Sequence, residues 1–198
     1  MSPRSILKNL VQGIFLVLLL PCGILSGFGR FRVLYTFWAH ACAQMPGLVG
    51  DYARAAFYHL TLEACPMSSR ICFGTFFSTP KAHLEDAVYI GAYCIIGQAH
   101  IGARTQIASA VHVVSGRHHH PRDSQGRILG AEQGTVQQIF IGSDCWIGEA
   151  AIVLADVGAG STIGAGAVVT REIPPKVVAA GNPARVLKPA SAGSPDLG

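Results

Sequence analysis

Three consecutive histidines, His118, His119 and His120, stand in the segment SGRHHHPRDSQGRILGAEQG, and imidazole is a side chain suited to moving a proton. Imidazole titrates near neutrality, so a histidine held at a fixed place can take a proton from an alcohol or an amine. Two other uses of the triplet stand beside that one, a solvated polar loop and a metal site. Successive side chains point in different directions, so the three do not converge on one ion without distortion. The six cysteines, Cys22, Cys42, Cys65, Cys72, Cys94 and Cys145, are scattered and form no CxxC pair. That spacing reads as reduced thiols in a cytosolic setting. A covalent route through Cys94 or Cys145 lacks a neighbouring base, and both occupy positions where a small core residue is expected.

The histidines interrupt a rhythm that must position them. Ile90, Ile96, Ile101, Ile107 and Val113 precede the segment, and Ile141, Ile147, Val153, Val157, Ile163 and Val169 follow it, close to one branched residue every sixth position. Glycine directly follows seven of these eleven. A period of six fits neither an amphipathic helix nor a half-buried strand, and it predicts a solenoid of short β-segments, three to a triangular coil. The branched side chains fill the core, and the small residue after each leaves room to turn the corner. This pattern matches the left-handed parallel β-helix, an exception to the usual right-handed crossover. Two spacings are short, Ile96 to Ile101 and Val153 to Val157, so one corner in each half is tightened or bulged. The segment 114–138 abandons the repeat and is expected to leave the prism as an extruded loop.

The 198 residues are 50% hydrophobic and only 13% charged, with 23 glycines, which suits one domain with appendages. A net charge of +4, without a long basic cluster or interleaved aromatics, argues against a nucleic-acid partner. Residues 9–29 carry no charge and lie between Lys8 and the pair Arg30 and Arg32. The stretch is long enough to cross a bilayer, and it also admits attachment within the interface, a secretory signal, or a buried helix on the solenoid's end. No small-x-small cleavage site follows it cleanly, and Pro21, Gly23, Gly27 and Gly29 interrupt a straight helix, which favours monotopic or re-entrant attachment. Residues 30–70 predict two amphipathic helices that either follow the membrane surface or cap the first coil. Residues from about Arg70 to Tyr89 lead into the coils. The β-helix domain is assigned to 71–188, Pro174 and Pro175 stop the repeat, Val177 to Leu187 make a short closing segment, and 189–198 reads as a disordered tail.

The hexads, the histidine loop before IGSDCWIG and the ending VVAAGNPARVLK resemble the hexapeptide-repeat acyltransferases, including the maltose and galactoside O-acetyltransferase and the colanic-acid or capsule acetyltransferase branches. The resemblance covers about residues 84–188. It implies a homotrimer, acetyl-CoA as acyl donor, no metal, and sites in clefts between neighbouring prisms. It also implies a cytoplasmic enzyme, attached to the membrane through residues 1–29, because an exported one would lose a cytosolic donor. His118 fits the place of the family's catalytic histidine best, and His120 is the runner-up because it directly precedes Pro121. On the same resemblance the CoA cleft is lined by Trp146, Ile147, Gly148 and Ala150 and by the later coil holding Gly164, Ala165, Gly166 and Ala167, with Thr170, Arg171 and Arg185 toward the nucleotide end. The expected reaction is direct acetyl transfer to a sugar hydroxyl, on a small-molecule or lipid-linked acceptor of surface polysaccharide or glycolipid assembly. Two alternatives from other classes are a γ-type carbonic anhydrase-like zinc protein and a noncatalytic membrane-associated trimeric scaffold. The positions of His83, His100 and His112 do not give the histidine spacing such a zinc site requires.

Overall fold

The structure, a computed structural model, describes residues 3–115, 121–130, 134 and 136–190. Short strands of two to five residues rotate through three sheets as far as Trp146–Ile147 and Ile152–Val153, after which single bridges stand in for strands of the third sheet. Each of these strands except the last pairs in parallel with the strand one coil away. On the first face the inward residues Ile71, Ile90, Ile107, Ile147, Ile163 and Ala179 stack in register. The second face stacks Phe77, Ile96, Val113, Val153 and Val169. Leu84, Ile101 and Ile141 form the third, extended by single parallel bridges to Val157 and Ile173. All eleven predicted inward residues are at most 2% exposed.

The register places every irregularity of the repeat on one edge of the prism. From first to second face, and from third to first, the inward residue always recurs after six positions, as in Ile90 to Ile96 and Ile101 to Ile107. From second to third face the steps run Phe77 to Leu84, Ile96 to Ile101, Val113 to Ile141, Val153 to Val157 and Val169 to Ile173. Both short spacings and the long interruption therefore belong to the same edge. The coil closes because the other two edges keep their length.

The glycines after the inward residues do a different job from the one expected of them. A Cβ at Gly91 would lie 2.6 Å from the carbonyl carbon of Ala108, and one at Gly148 would lie 2.5 Å from the amide nitrogen of Ala165. They allow close approach between coils. The left-handed backbone that turns the two regular edges falls three positions before the inward residue, often without glycine, as at Tyr93 (φ 58°) and Asp144 (φ 59°).

The two ends of the repeat also read differently. Residues 70–89 already form a complete coil, with Phe77 and Leu84 in the core. Its aromatic filler and seven-residue step hide it from a search for branched hexads. At the other end Pro174 and Pro175 sit within a corner. The coil continues through Ile173 and Ala179, and Arg185–Pro189 folds back antiparallel on Val177–Ala180. The expected tail lies outside the described residues from 191 onward.

Helices α1 (Pro3–Leu25), α2 (Arg32–Ala43) and α3 (Gly47–Thr61) precede the coils. α2 and α3 cap the first coil, the second of the two arrangements their sequence allowed. The Tyr35 hydroxyl donates to the Phe77 carbonyl at 3.1 Å, and the Phe77 amide donates to the Tyr58 hydroxyl at 3.2 Å. Arg54, fully buried, donates to the carbonyls of Ile71 (2.8 Å), Cys42 (3.0 Å) and Met45 (2.8 Å) and pairs with Asp51 at 2.7 Å. One guanidinium thus ties both helices to the first strand and satisfies carbonyls that a bare end would leave unpaired.

Candidate active site

A groove of about 370 Å³ lies on the first face and runs to its edge with the second. Two structural positions build it. The outward residue just before each inward one stacks in a column, Tyr89, Gln106, Trp146 and Thr162, along the face. The small residues just after each inward one, among them Ala108, Gly148 and Gly164, form the floor where the chain turns. Ser109 and Glu149 bring a hydroxyl and a carboxylate to the same groove. Trp146 is 46% exposed, so its indole offers an open flat wall.

The structure gathers some of the expected donor-site residues and separates others. Trp146, Gly148 and Ala165 line the groove. Ala150 and Gly166 continue the same edge with left-handed backbones (φ 56° and 66°), and the Gly166 amide donates to the Glu149 carbonyl at 2.7 Å. Arg185 pairs with Ala180 on the returning strand, one rung beyond Gly164, and is exposed. Thr170 and Arg171 fall elsewhere, where the chain passes from Val169 on the second face to Ile173 on the third. His118 and His120 lie outside the described residues.

What is described of their loop fixes where it leaves the prism. It departs after Val113 on the second face and returns to Ile139–Ile141 on the third. The Gln137 amide donates to the Ser115 carbonyl at 3.1 Å and closes the stem. The Ser115 hydroxyl also accepts from the Gln98 amide at 2.5 Å, which fixes the stem to the coil below. Farther out, Asp123 accepts from the amides of Gln125 and Arg127 and pairs with the Arg127 guanidinium at 2.8 Å, shaping a tight turn. Hydrogen bonding from Arg127, side chain first, holds the Asp123 carboxyl below its ordinary range.

Neither coil cysteine is presented as a nucleophile. Cys94 and Cys145 are buried, and burial pushes both thiols up from their ordinary range, which disfavours the reactive thiolate. The Cys145 thiol donates instead to the Gly158 carbonyl at 3.2 Å. Among the described residues no group of three or more His, Cys, Asp or Glu side chains is arranged to hold a metal ion. His83 and His100 meet on the third face as rings stacked 4.4 Å apart at 7°, which sets their nitrogens side by side and leaves them poorly converged on one ion. The His100 Nε2 lies 2.9 Å from Glu85, whose other oxygen accepts from the Ala103 amide at 2.9 Å. These contacts, led by His100, hold the Glu85 carboxyl below its ordinary range.

Sequence reasoning missed Tyr89, Ser109, Glu149 and Thr162. Their signal was available for one coil at a time, since Tyr89, Trp146 and Thr162 each precede an inward residue. Stacking them into a column required the unequal third edge.

No protein-family model matches the chain. An inferred acetyltransferase of Schizosaccharomyces pombe is 41% identical over 90 residues, which are 44% of this chain and 39% of that protein. The chain therefore spans well under half the length of that curated relative. Among solved structures, a galactoside acetyltransferase in complex with coenzyme A is 24% identical, with a TM-score of 0.58 over 84% of each chain. An acetyltransferase specific for polysialic acid is 25% identical, with a TM-score of 0.51 over 65% of this chain and 62% of that one. The resemblance to hexapeptide-repeat acetyltransferases holds in both sequence and fold.

Proposed function

We propose that this protein is an O-acetyltransferase of the left-handed β-helix type that moves an acetyl group from acetyl-CoA to a sugar hydroxyl. The observation that carries this reading is the groove itself. Its floor is built from the stacked small residues Gly148 and Ala165 beside Trp146, where the resemblance puts the CoA arm. A pantetheine chain can lie against backbone there because side chains are short, and amides near the turn can steady an oxyanion. Arg185, one rung beyond, is a cation for the nucleotide phosphates. The CoA-bound and polysaccharide-specific neighbours support the donor and the sugar acceptor respectively.

In the reaction, His118 takes the hydroxyl proton as the acceptor oxygen attacks the thioester carbonyl. The carbon–oxygen bond forms, the carbon–sulfur bond breaks, and the imidazolium returns the proton to the departing CoA thiolate. His120 is the alternative base. The groove and the loop stem lie on opposite edges of the second face, so the groove of one copy facing the loop of the next would complete a site, and three copies would close the ring. On that arrangement Thr170 and Arg171 reach the donor of a neighbouring chain. The apolar amino-terminal helix would hold the enzyme at the cytoplasmic face of a membrane, close to a lipid-linked acceptor.

The test is release of free CoA thiol by the purified full chain across soluble and lipid-linked sugar acceptors. Acceptor-dependent release, abolished by His118→Ala or by His120→Ala, identifies the transferase and its base. Failure to release thiol together with failure to bind CoA would overturn the reading. A mass of one 20.8 kDa chain in solution would overturn the shared site.

A further inference from the structure

The uneven distribution of charge and exposed apolar surface points to a second functional surface. Residues 1–50 hold Arg4, Lys8, Arg30 and Arg32 and no Asp or Glu. Residues 51–198 hold 11 cationic and 11 acidic side chains, so the whole net charge of +4 resides in the helical layer. Of the 26 large apolar side chains left exposed among the described residues, 17 lie in the same first 50. They are not confined to α1. Val17 on α1 is 71% exposed, Val33 and Phe37 on α2 are 82% and 60%, and Leu48 at the start of α3 is 70%. Phe28 and Phe31 are exposed on the turn that joins α1 to α2.

Ser5–Leu25 is long and apolar enough to cross a membrane, yet it is fastened along one side to the body. Phe15 stacks on Tyr52 at 5.6 Å, the Gln12 side-chain amide donates to the Met67 carbonyl at 2.6 Å, and Leu19 is buried. A helix tied to the solenoid's cap from Gln12 to Leu19 cannot thread a bilayer without drawing the cap in after it.

We propose that α1, α2 and the start of α3 form a single monotopic platform that lies in the interface of a bilayer bearing anionic lipid. Apolar side chains enter the headgroup boundary, and Lys8, Arg30 and Arg32 meet the negative headgroups. The proposal deepens the membrane attachment stated above and rests on it. It extends the contact to α2 and α3, beyond residues 1–29, and it excludes a spanning α1.

The experiment is co-sedimentation of the full chain with phosphatidylcholine vesicles, with and without phosphatidylglycerol. Three proteins are compared, the wild type, Val33→Glu/Phe37→Glu and Arg30→Gln/Arg32→Gln, each checked for unchanged circular dichroism and for mass by light scattering. The wild type should favour the anionic vesicles. The arginine pair is solvent-exposed, and its loss should weaken partitioning by roughly 25-fold, about five-fold per cation. The glutamate pair should weaken it at least roughly ten-fold. If the wild type binds neither vesicle, membrane attachment itself fails. Wild-type binding that the glutamate pair leaves unchanged would overturn the platform and leave α1 as sole anchor. A glutamate pair that lowers the mass and spares vesicle binding would make this face a contact between copies, which also overturns it.

Discussion

The two edges that bound the second face of the prism are made from the same repeat and behave differently. The edge shared with the first face keeps a six-residue step in every coil, so its outward and small residues stack into straight columns and leave the groove between them. At the edge shared with the third face the step is longer in the first coil, shorter in most others, and in one coil opens into the histidine loop. A regular edge can build a surface that repeats, such as a trough for an extended donor. The irregular edge places a single feature at a single height, which suits the catalytic base proposed there. The difference follows from closure. A parallel coil tolerates insertion at one corner while the other two hold its strands in register.

The sharpest way to break this comparison is to remove the proposed base. His118→Ala should lower kcat by roughly 10²–10⁴-fold while leaving the KM for acetyl-CoA within about three-fold, measured by thiol release. A large rise in KM instead would mean that the irregular edge also holds the donor. The cap tests whether either edge depends on the end of the solenoid. Arg54→Ala removes a buried cation bonded to four carbonyls and Asp51, and it should cost about 3–5 kcal/mol in chemical denaturation. At the regular edge, Ala165→Leu places a branched side chain in the groove from an exposed corner. It should raise the KM for acetyl-CoA by roughly 10–200-fold with little change in kcat, the reverse of the His118 result.

The smallest effect is expected at Glu85 on the third face. Its carboxyl is held below the ordinary range, so its stabilising contribution is present above the unfolded carboxylate pKa and is lost as pH falls through the folded one. The side chain is 40% exposed, and solvent screening keeps the contribution below about 1 kcal/mol. Glu85→Gln should therefore leave neutral-pH stability nearly unchanged and flatten its decline in mild acid, followed by thermal melting against pH. A decline as steep as in the wild type would assign the acid sensitivity to other carboxylates.

Much of this could be read from the chain. Ile90 through Val169 announce the solenoid because their side chains must all enter one narrow core, and a period of six belongs to no other common element. Gly148 and Ala165 were readable as residues of one cleft through the family resemblance, and the structure brings both to the groove, although the small size of Gly148 first serves the packing of one coil on the next. The first coil was readable only as a lead-in to the repeat. Phe77 and Leu84 fill the same core with different shapes at a different step, and core volume constrains total filling more tightly than residue type. Arg54 gave no signal either, since a lone arginine within an apolar helix reads as a surface residue until the carbonyls of Ile71, Cys42 and Met45 converge on it.

The sequence by itself determined the period, the inward residues, the place where the repeat is interrupted and the concentration of positive charge in the first 50 residues. These are properties of local order along the chain, set by side-chain size and charge. Only the tertiary structure decided that every unequal step shares one edge, that Tyr89, Trp146 and Thr162 form one wall, that Thr170 and Arg171 stand apart from the groove, and that α1 lies along the cap. Each of these depends on which residues meet across coils of unequal length, and the pairing of distant strands settles that only once the whole coil has closed.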